Sequence, residues 1–237
     1  MKQNKLDADI FQISECGVLV EFGKEISKDI NNKVRAFSNY LEEHPFRGMV
    51  EYVPAFTSVT ILYDPLELNS KCPYDMVYST IKKILLNINL SVEDKERIIE
   101  IPVCYGGKFG PDIEYVAEYN KISVDDVIRI HSSGEYLVYM IGFAPGFPYL
   151  GGMSEKISTP RWKSPRTSIP AGSVGIAGMQ TGVYPISTPG GWQLIGSTPE
   201  KLFRPDDSPP SLLSAGDIVK FYPISYDEYE NYGEGCR

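Results

Sequence analysis

SVGIAGMQTGVYPISTPGGWQLIG, residues 173–196, decides the fold of the larger part of this chain. Its apolar runs SVGIAG and WQLIG are too short for helices and are set off by turns bearing glycine and proline. The same texture extends outward, with YLVYMIG at 136–142 before it and DIVKFYPI at 217–224 after it. No helix longer than a turn or two is expected beyond Tyr136. Many short strands joined by such turns indicate a closed or nearly closed β-barrel. The acidic, aromatic tail from Tyr226 reads as loosely held.

Upstream of the barrel runs, Glu100–Tyr105 reads as a strand that opens this domain. Two short helices follow it. One begins near Asp112; the other is capped by Ser123 with Asp126 three residues on, and ends near His131. The first third has a different rhythm. Phe11 to Phe22 reads as a hairpin broken at Cys16-Gly17. Ser27 caps a helix whose apolar face is Ile30, Val34, Phe37 and Leu41. Two strands span Met49 to Tyr63, and Pro73 opens a second, wide-faced amphipathic helix. The order β-α-β-β-α is that of a small open sheet with helices on one side, ferredoxin-like in plan. The charged stretch LSVEDKERII at 90–99 marks the junction, giving domains 1–93 and 94–237 and an α/β (α+β) class.

A net charge of −8 and a pI near 4.9 argue against nucleic acid and against an anionic membrane surface. No run approaches the ~18 apolar residues of a spanning helix, and the N-terminus has no secretory pattern. Four scattered cysteines, with no CxxC pair and two histidines, give no metal site and fit reduced thiols in a cytoplasm.

Against this acidic background residues 140–199 stand out. They hold 11 of the 21 glycines and 8 of the 18 prolines, and their five charged side chains, Glu155, Lys156, Arg161, Lys163 and Arg166, sum to +3. Arg161 and Arg166 offer planar forks for a carboxylate or phosphate, unless acids elsewhere pair with them. The loop Gly142–Gly152, with Gly146 within it, lets a ligand approach main-chain N–H groups. Ser173, Gln180 and Thr181 are neutral hydrogen-bonding candidates. Gly190 and Gly191 form a turn before Trp192, which either walls a pocket or fills core. Neither a Walker loop nor a Rossmann fingerprint is present. The glycine turn at 106–110 leads to Asp112 at a helix N-terminus, a possible anion site. His131, alone in the second domain, is the natural general acid or base, although a histidine ending a helix is often only a cap.

Several stretches then match a known family. GFAPGFPYLGGM (142–153), the run from Pro160 to Pro199 and LLSAGDIVKF (212–221) resemble the B-subunit family of bacterial 5-oxoprolinase. The family is also called allophanate hydrolase subunit 1, or the sporulation kinase inhibitor type. CYGGKFGPDIEYVA (104–117), VIRIHS (127–132) and, more loosely, VPAFTSVTILYDP (53–65) extend the resemblance over nearly the whole chain. It implies a cyclophilin-like barrel for the second domain and action beside the same enzyme's C and A subunits. It implies ATP-driven opening of the 5-oxoproline lactam to glutamate, with ATP and Mg2+ used by the assembled complex and neither held by this chain alone. Arg161, Gly146, Ser173, Gln180, Thr181, Gly190, Gly191 and Trp192 are then candidates for substrate binding. His131, Asp112 and Arg166 are candidates for catalysis. Other members of the family imply two alternatives: inhibition of a sporulation histidine kinase, or a urea- or allophanate-type amide-processing enzyme.

Overall fold

The computed structural model describes residues 6–88 and 97–232, and the chain divides into two compact units, 1–95 and 96–237. The junction expected between residues 93 and 94 lies outside the described residues.

The first unit contains β1 (Asp9–Ser14), β2 (Gly17–Glu21), α1 (Lys28–Glu43), β3 (Met49–Pro54), β4 (Ser58–Tyr63) and α2 (Pro73–Asn87). The sheet is antiparallel in the order β1-β2-β4-β3. Strand β4 therefore lies between β2 and β3, the split arrangement expected of a ferredoxin-like unit. The outer place beside β2 goes to β1, the first half of the hairpin. The Ser27 hydroxyl accepts the Ile30 N–H to start α1, and Pro73 stands in the first turn of α2. Val34, Phe37 and Leu41 of α1 and Val77, Ile81 and Leu85 of α2 pack with Val18, Val20, Val59 and Ile61 in one core. The period-2 burial of β4 explains how the strand shows that core one face only.

The second unit opens with β5 (Ile98–Tyr105), α3 (Ile113–Asn120) and α4 (Val124–Ser132). There follow β6 (Tyr136–Ile141), β7 (Pro148–Gly151), β8 (Arg166–Ile169), β9 (Ser173–Ala177), β10 (Gln180–Val183), β11 (Thr188–Gly190), β12 (Gln193–Ser197), β13 (Ile218–Pro223) and α5 (Tyr226–Glu230). Seven of these strands close a barrel in the order β10-β7-β6-β13-β5-β12-β9, and β8 pairs with β11 outside it. The barrel is antiparallel except between β5 and β13. Closure removes the exposed edges that so many short strands would otherwise present. Ile101, Val103, Val138, Leu150, Val174, Ile176, Ile195, Val219 and Phe221 fill it. Ser123 and Asp126 make both bonds of the capping box that starts α4.

The tail corrects the sequence reading. Ser225 and Glu228 form a second capping box that starts α5. The helix lies against the barrel: the Tyr229 ring is 4.1 Å from that of Phe109, and its hydroxyl is 3.1 Å from the Ser197 hydroxyl. Lys108 Nζ donates to the Tyr226 hydroxyl at 2.7 Å and pairs with Glu230 at 3.1 Å. Among the described residues no helix is long and apolar enough to cross a membrane.

Candidate active-site groove

A groove of about 400 Å3 opens between the 142–149 loop and the strand pair β8–β11. Its walls are Phe143, Phe147, Tyr149, Tyr184 and Trp192, and Arg161, Pro165 and Pro189–Gly191 complete it. Phe147, Tyr184 and Trp192 meet pairwise edge to face, with centroids 5.7–6.1 Å apart. Such packing fixes each ring in one orientation. Trp192 therefore fills a small core of its own, with Ile169, Ala177 and Leu194, and also walls the groove. Gly190 has a steric reason: a Cβ there would lie 2.5 Å from the Tyr184 hydroxyl oxygen. The Trp162 N–H donates to the Gly191 carbonyl at 2.7 Å, which ties the segment carrying Arg161 to the groove floor.

Arg161 is exposed, and among the described residues no acid or acceptor engages its guanidinium. Burial pushes the Tyr184 hydroxyl up to about 12, against the opposing pull of Arg161, of a backbone hydrogen bond from Trp192 and of Arg166. Tyr184 thus stays protonated through the physiological range, a neutral donor beside a free cation. Among the described residues the groove combines flat apolar walls, one cation and the phenols of Tyr149 and Tyr184, a set that suits a small ring bearing a carboxylate.

Arg166 lies behind this groove. Its Nη2 donates to Asp112 Oδ1 at 2.7 Å and its Nη1 to the Trp192 carbonyl at 3.3 Å, and its Cζ is 5.3 Å from the Trp162 ring centre. Asp112, buried at the start of α3, accepts the Leu194 N–H on its other oxygen at 2.7 Å. The pair locks β8 to β12 and α3, so Asp112 acts on the groove by holding Arg166 and Trp192 in place. Arg166 and Ser173 line a second cavity of about 420 Å3 with Lys108, Phe109, Ser197 and Tyr229.

Four of the sequence candidates, His131, Thr181, Gln180 and Gly146, lie outside the groove. His131 is 0% exposed inside the barrel, stacked on Phe221 at 4.7 Å. Its Nε2 meets the Thr181 hydroxyl at 2.9 Å and its Nδ1 the Tyr105 hydroxyl at 2.7 Å. Thr181 spends its own proton on the Gly175 carbonyl, so it accepts from Nε2–H, and Nδ1 accepts from Tyr105. Burial holds the imidazole at about 3, hence neutral. His131 and Thr181 thus form a buried hydrogen-bonded relay, and neither lines the groove. Gln180 on β10 pairs with Ala177 of β9, and Gly146 sits in a turn (φ +78°) where a Cβ would lie 2.9 Å from that of Phe203; neither lines the groove. The sequence reading therefore places Arg161, Gly190, Gly191 and Trp192 in the groove and misses Phe143, Phe147, Tyr149 and Tyr184. The aromatic content of GFAPGFPYL was the available signal.

The sequence places this fold in a carboxyltransferase-type family. The family model for the carboxyltransferase domain, subdomain C and D, matches residues 8–213, and the chain belongs to that family. Within it the similarity narrows further. The chain is 55% identical to the B subunit of 5-oxoprolinase from Bacillus subtilis (strain 168), across 95% of this chain and 96% of that one. It is 39% identical to the B subunit of 5-oxoprolinase from Escherichia coli O157:H7, across 91% and 96%. The crystal structure of TTHA0988 aligns with a TM-score of 0.77 and 33% identity, over 88% of this chain but 40% of that one.

Proposed function

We propose that this chain is the B subunit of a 5-oxoprolinase, a hydrolase built from several chains. The observation that carries the reading is the end-to-end similarity to a protein of that name at 55% identity. The groove agrees with it chemically. 5-Oxoproline is a five-membered lactam with one carboxylate; the Arg161 guanidinium, unpaired among the described residues, suits the carboxylate, and the rings of Trp192 and Tyr184 suit the flat lactam. The Tyr184 hydroxyl, kept protonated by burial, is the donor for the lactam oxygen, where negative charge develops as the amide is activated.

An amide this inert needs activation, and the partner chains supply it: the enzyme's C-type partner completes the groove and its A-type partner takes part in the ring opening. ATP with Mg2+ belongs to the assembly. In this reading the nucleotide is held by the partner chains. The TTHA0988 alignment supports a composite site, because the part matched by this chain is followed or preceded there by further chain of greater length. The free thiols of Cys16, Cys72 and Cys104 fit a reducing cytoplasm.

The test is glutamate and ADP production from 5-oxoproline and ATP by this chain alone, and mixed with its A and C partners. Product in the mixture and none from the chain alone is the expected result. An inactive full mixture removes the assignment and turns attention to urea-type amides.

A further inference from the structure

Phe143 stands in a conformation that side chains rarely adopt. Its φ is +68°, in the left-handed region, and the Ala144 N–H donates to the Gly142 carbonyl at 2.8 Å across it. A bond from residue i to i+2 over a centre of positive φ is the strained form of the γ-turn, seldom seen with a bulky residue. The neighbouring turn is unstrained by comparison. Ala144 to Phe147 closes with a 3.0 Å bond, and Pro145 and Gly146 (φ +78°) fill the two central places of a type II turn. Gly142 N–H to the Phe147 carbonyl, 3.1 Å, fastens the base of the loop. The loop is thus rigidly tied at its foot and carries its strain at one residue.

Folding gains little in return for that strain. The Phe143 ring is 68% exposed, an apolar side chain held in water, with one edge-to-face contact to Phe147 at 5.4 Å. Glycine would satisfy the turn without strain, and a polar residue would suit the exposure better. What the arrangement does achieve is position: the ring stands at the rim of the groove, which is also lined by Arg161, Tyr184 and Trp192. Strain that the core does not offset, concentrated beside a binding groove, is a mark of function.

We propose that Phe143 is the cap of this groove: its ring covers a bound small cyclic carboxylate, opposite the Trp192 and Tyr184 wall, and sets the size of ligand accepted. This inference rests on the 5-oxoproline reading above. The cap makes the bound carboxylate–Arg161 pair drier, and so stronger, and keeps water from the activated lactam until the partner's chemistry is complete. Phe143 acts through binding, so its loss is felt in KM before kcat.

The experiment compares the full chain and its Phe143→Gly, Phe143→Ala and Phe143→Leu variants by thermal melting, then by 5-oxoproline kinetics in the assembly with the A and C partners. Phe143→Gly relieves the strain and is expected to melt no lower than the natural chain, and about 2–4 °C above Phe143→Ala. Both lose the cap, so KM for 5-oxoproline rises on the order of tenfold in each, with kcat within about twofold. Phe143→Leu falls between. An unchanged KM in Phe143→Gly, in an assembly whose natural form turns over 5-oxoproline, overturns the cap and leaves the enzyme assignment standing. A natural assembly without turnover overturns the assignment, and the cap with it in its 5-oxoproline form. A Phe143→Gly chain melting several degrees below the natural one shows that the ring serves the fold, and overturns the inference by itself.

Discussion

The Asp112 carboxylate stands between Arg166 and Leu194, one oxygen 2.7 Å from the guanidinium and the other 2.7 Å from the backbone N–H. Through this pair the start of α3 governs where β8 and β12 meet, and therefore where Trp192 and the groove floor lie. Asp112→Asn keeps the shape, removes the charge and turns an NH2 toward a donor. We expect a loss of about 2–3 kcal/mol by chemical denaturation, because a half-buried guanidinium is left without its acid. Asn in place of Asp with no change in stability would mean that the pair does not hold the strands.

Tyr184 is one of two tyrosines in the groove, with Tyr149. Tyr184→Phe deletes one oxygen from a ring that is 2% exposed and locked by Phe147 and Trp192. The melting temperature should stay within about 4 °C. In the assembled enzyme kcat should fall on the order of 100-fold, as for a donor aimed at developing charge. A loss confined to KM would make Tyr184 a wall and no more.

The buried histidine predicts how acid acts on the barrel. The folded value for His131, about 3, lies below the ordinary 6.5 of an exposed imidazole. Below 6.5 the unfolded chain therefore binds a proton that the folded chain refuses, so stability is fully present above pH 6.5 and falls as pH drops toward 3. Each pH unit in that window costs about 1.4 kcal/mol, or about 2 kcal/mol at pH 5. Urea melts from pH 7.5 to 5 measure the slope, and His131→Gln should remove it while lowering stability at pH 7. An equal slope in the variant would place the acid sensitivity elsewhere.

The tail prediction concerns Tyr229. Its ring on Phe109 and its hydroxyl near Ser197 hold α5 to the barrel, so Tyr229→Ala should cost about 1–2 kcal/mol and expose the second cavity to limited proteolysis at the C-terminus. Unchanged protection would show that α5 docks by other contacts.

What the sequence revealed was local. Ser27, Pro73 and the Ser123–Asp126 pair announce their helices because caps and first-turn residues act within four positions of themselves. The short runs between glycines and prolines announce the barrel for the same reason, and Pro145-Gly146 marks its own turn. The Ser225–Glu228 box was equally legible, but the acidity of the tail masked it. The misreadings are nonlocal. His131 reads as a helix end, yet its ring points into a barrel closed by Thr181, fifty positions on. Arg166 reads as a free cation until the fold brings Asp112 to it across 54 positions. Tyr184 and Phe143 look unremarkable in sequence, since pocket walls depend on which strands become neighbours and γ-turn strain on φ.

Arg161 is the group on which the account turns, and its substitution in the assembled enzyme is the most direct test. With the A and C partners present, Arg161→Ala should raise KM for 5-oxoproline by about 10- to 100-fold, and Arg161→Lys should recover part of the loss. The chain should melt as before, since among the described residues the side chain has no partner to lose. An Arg161→Ala enzyme with an unaltered KM for 5-oxoproline would contradict the claim that this groove holds the substrate's carboxylate.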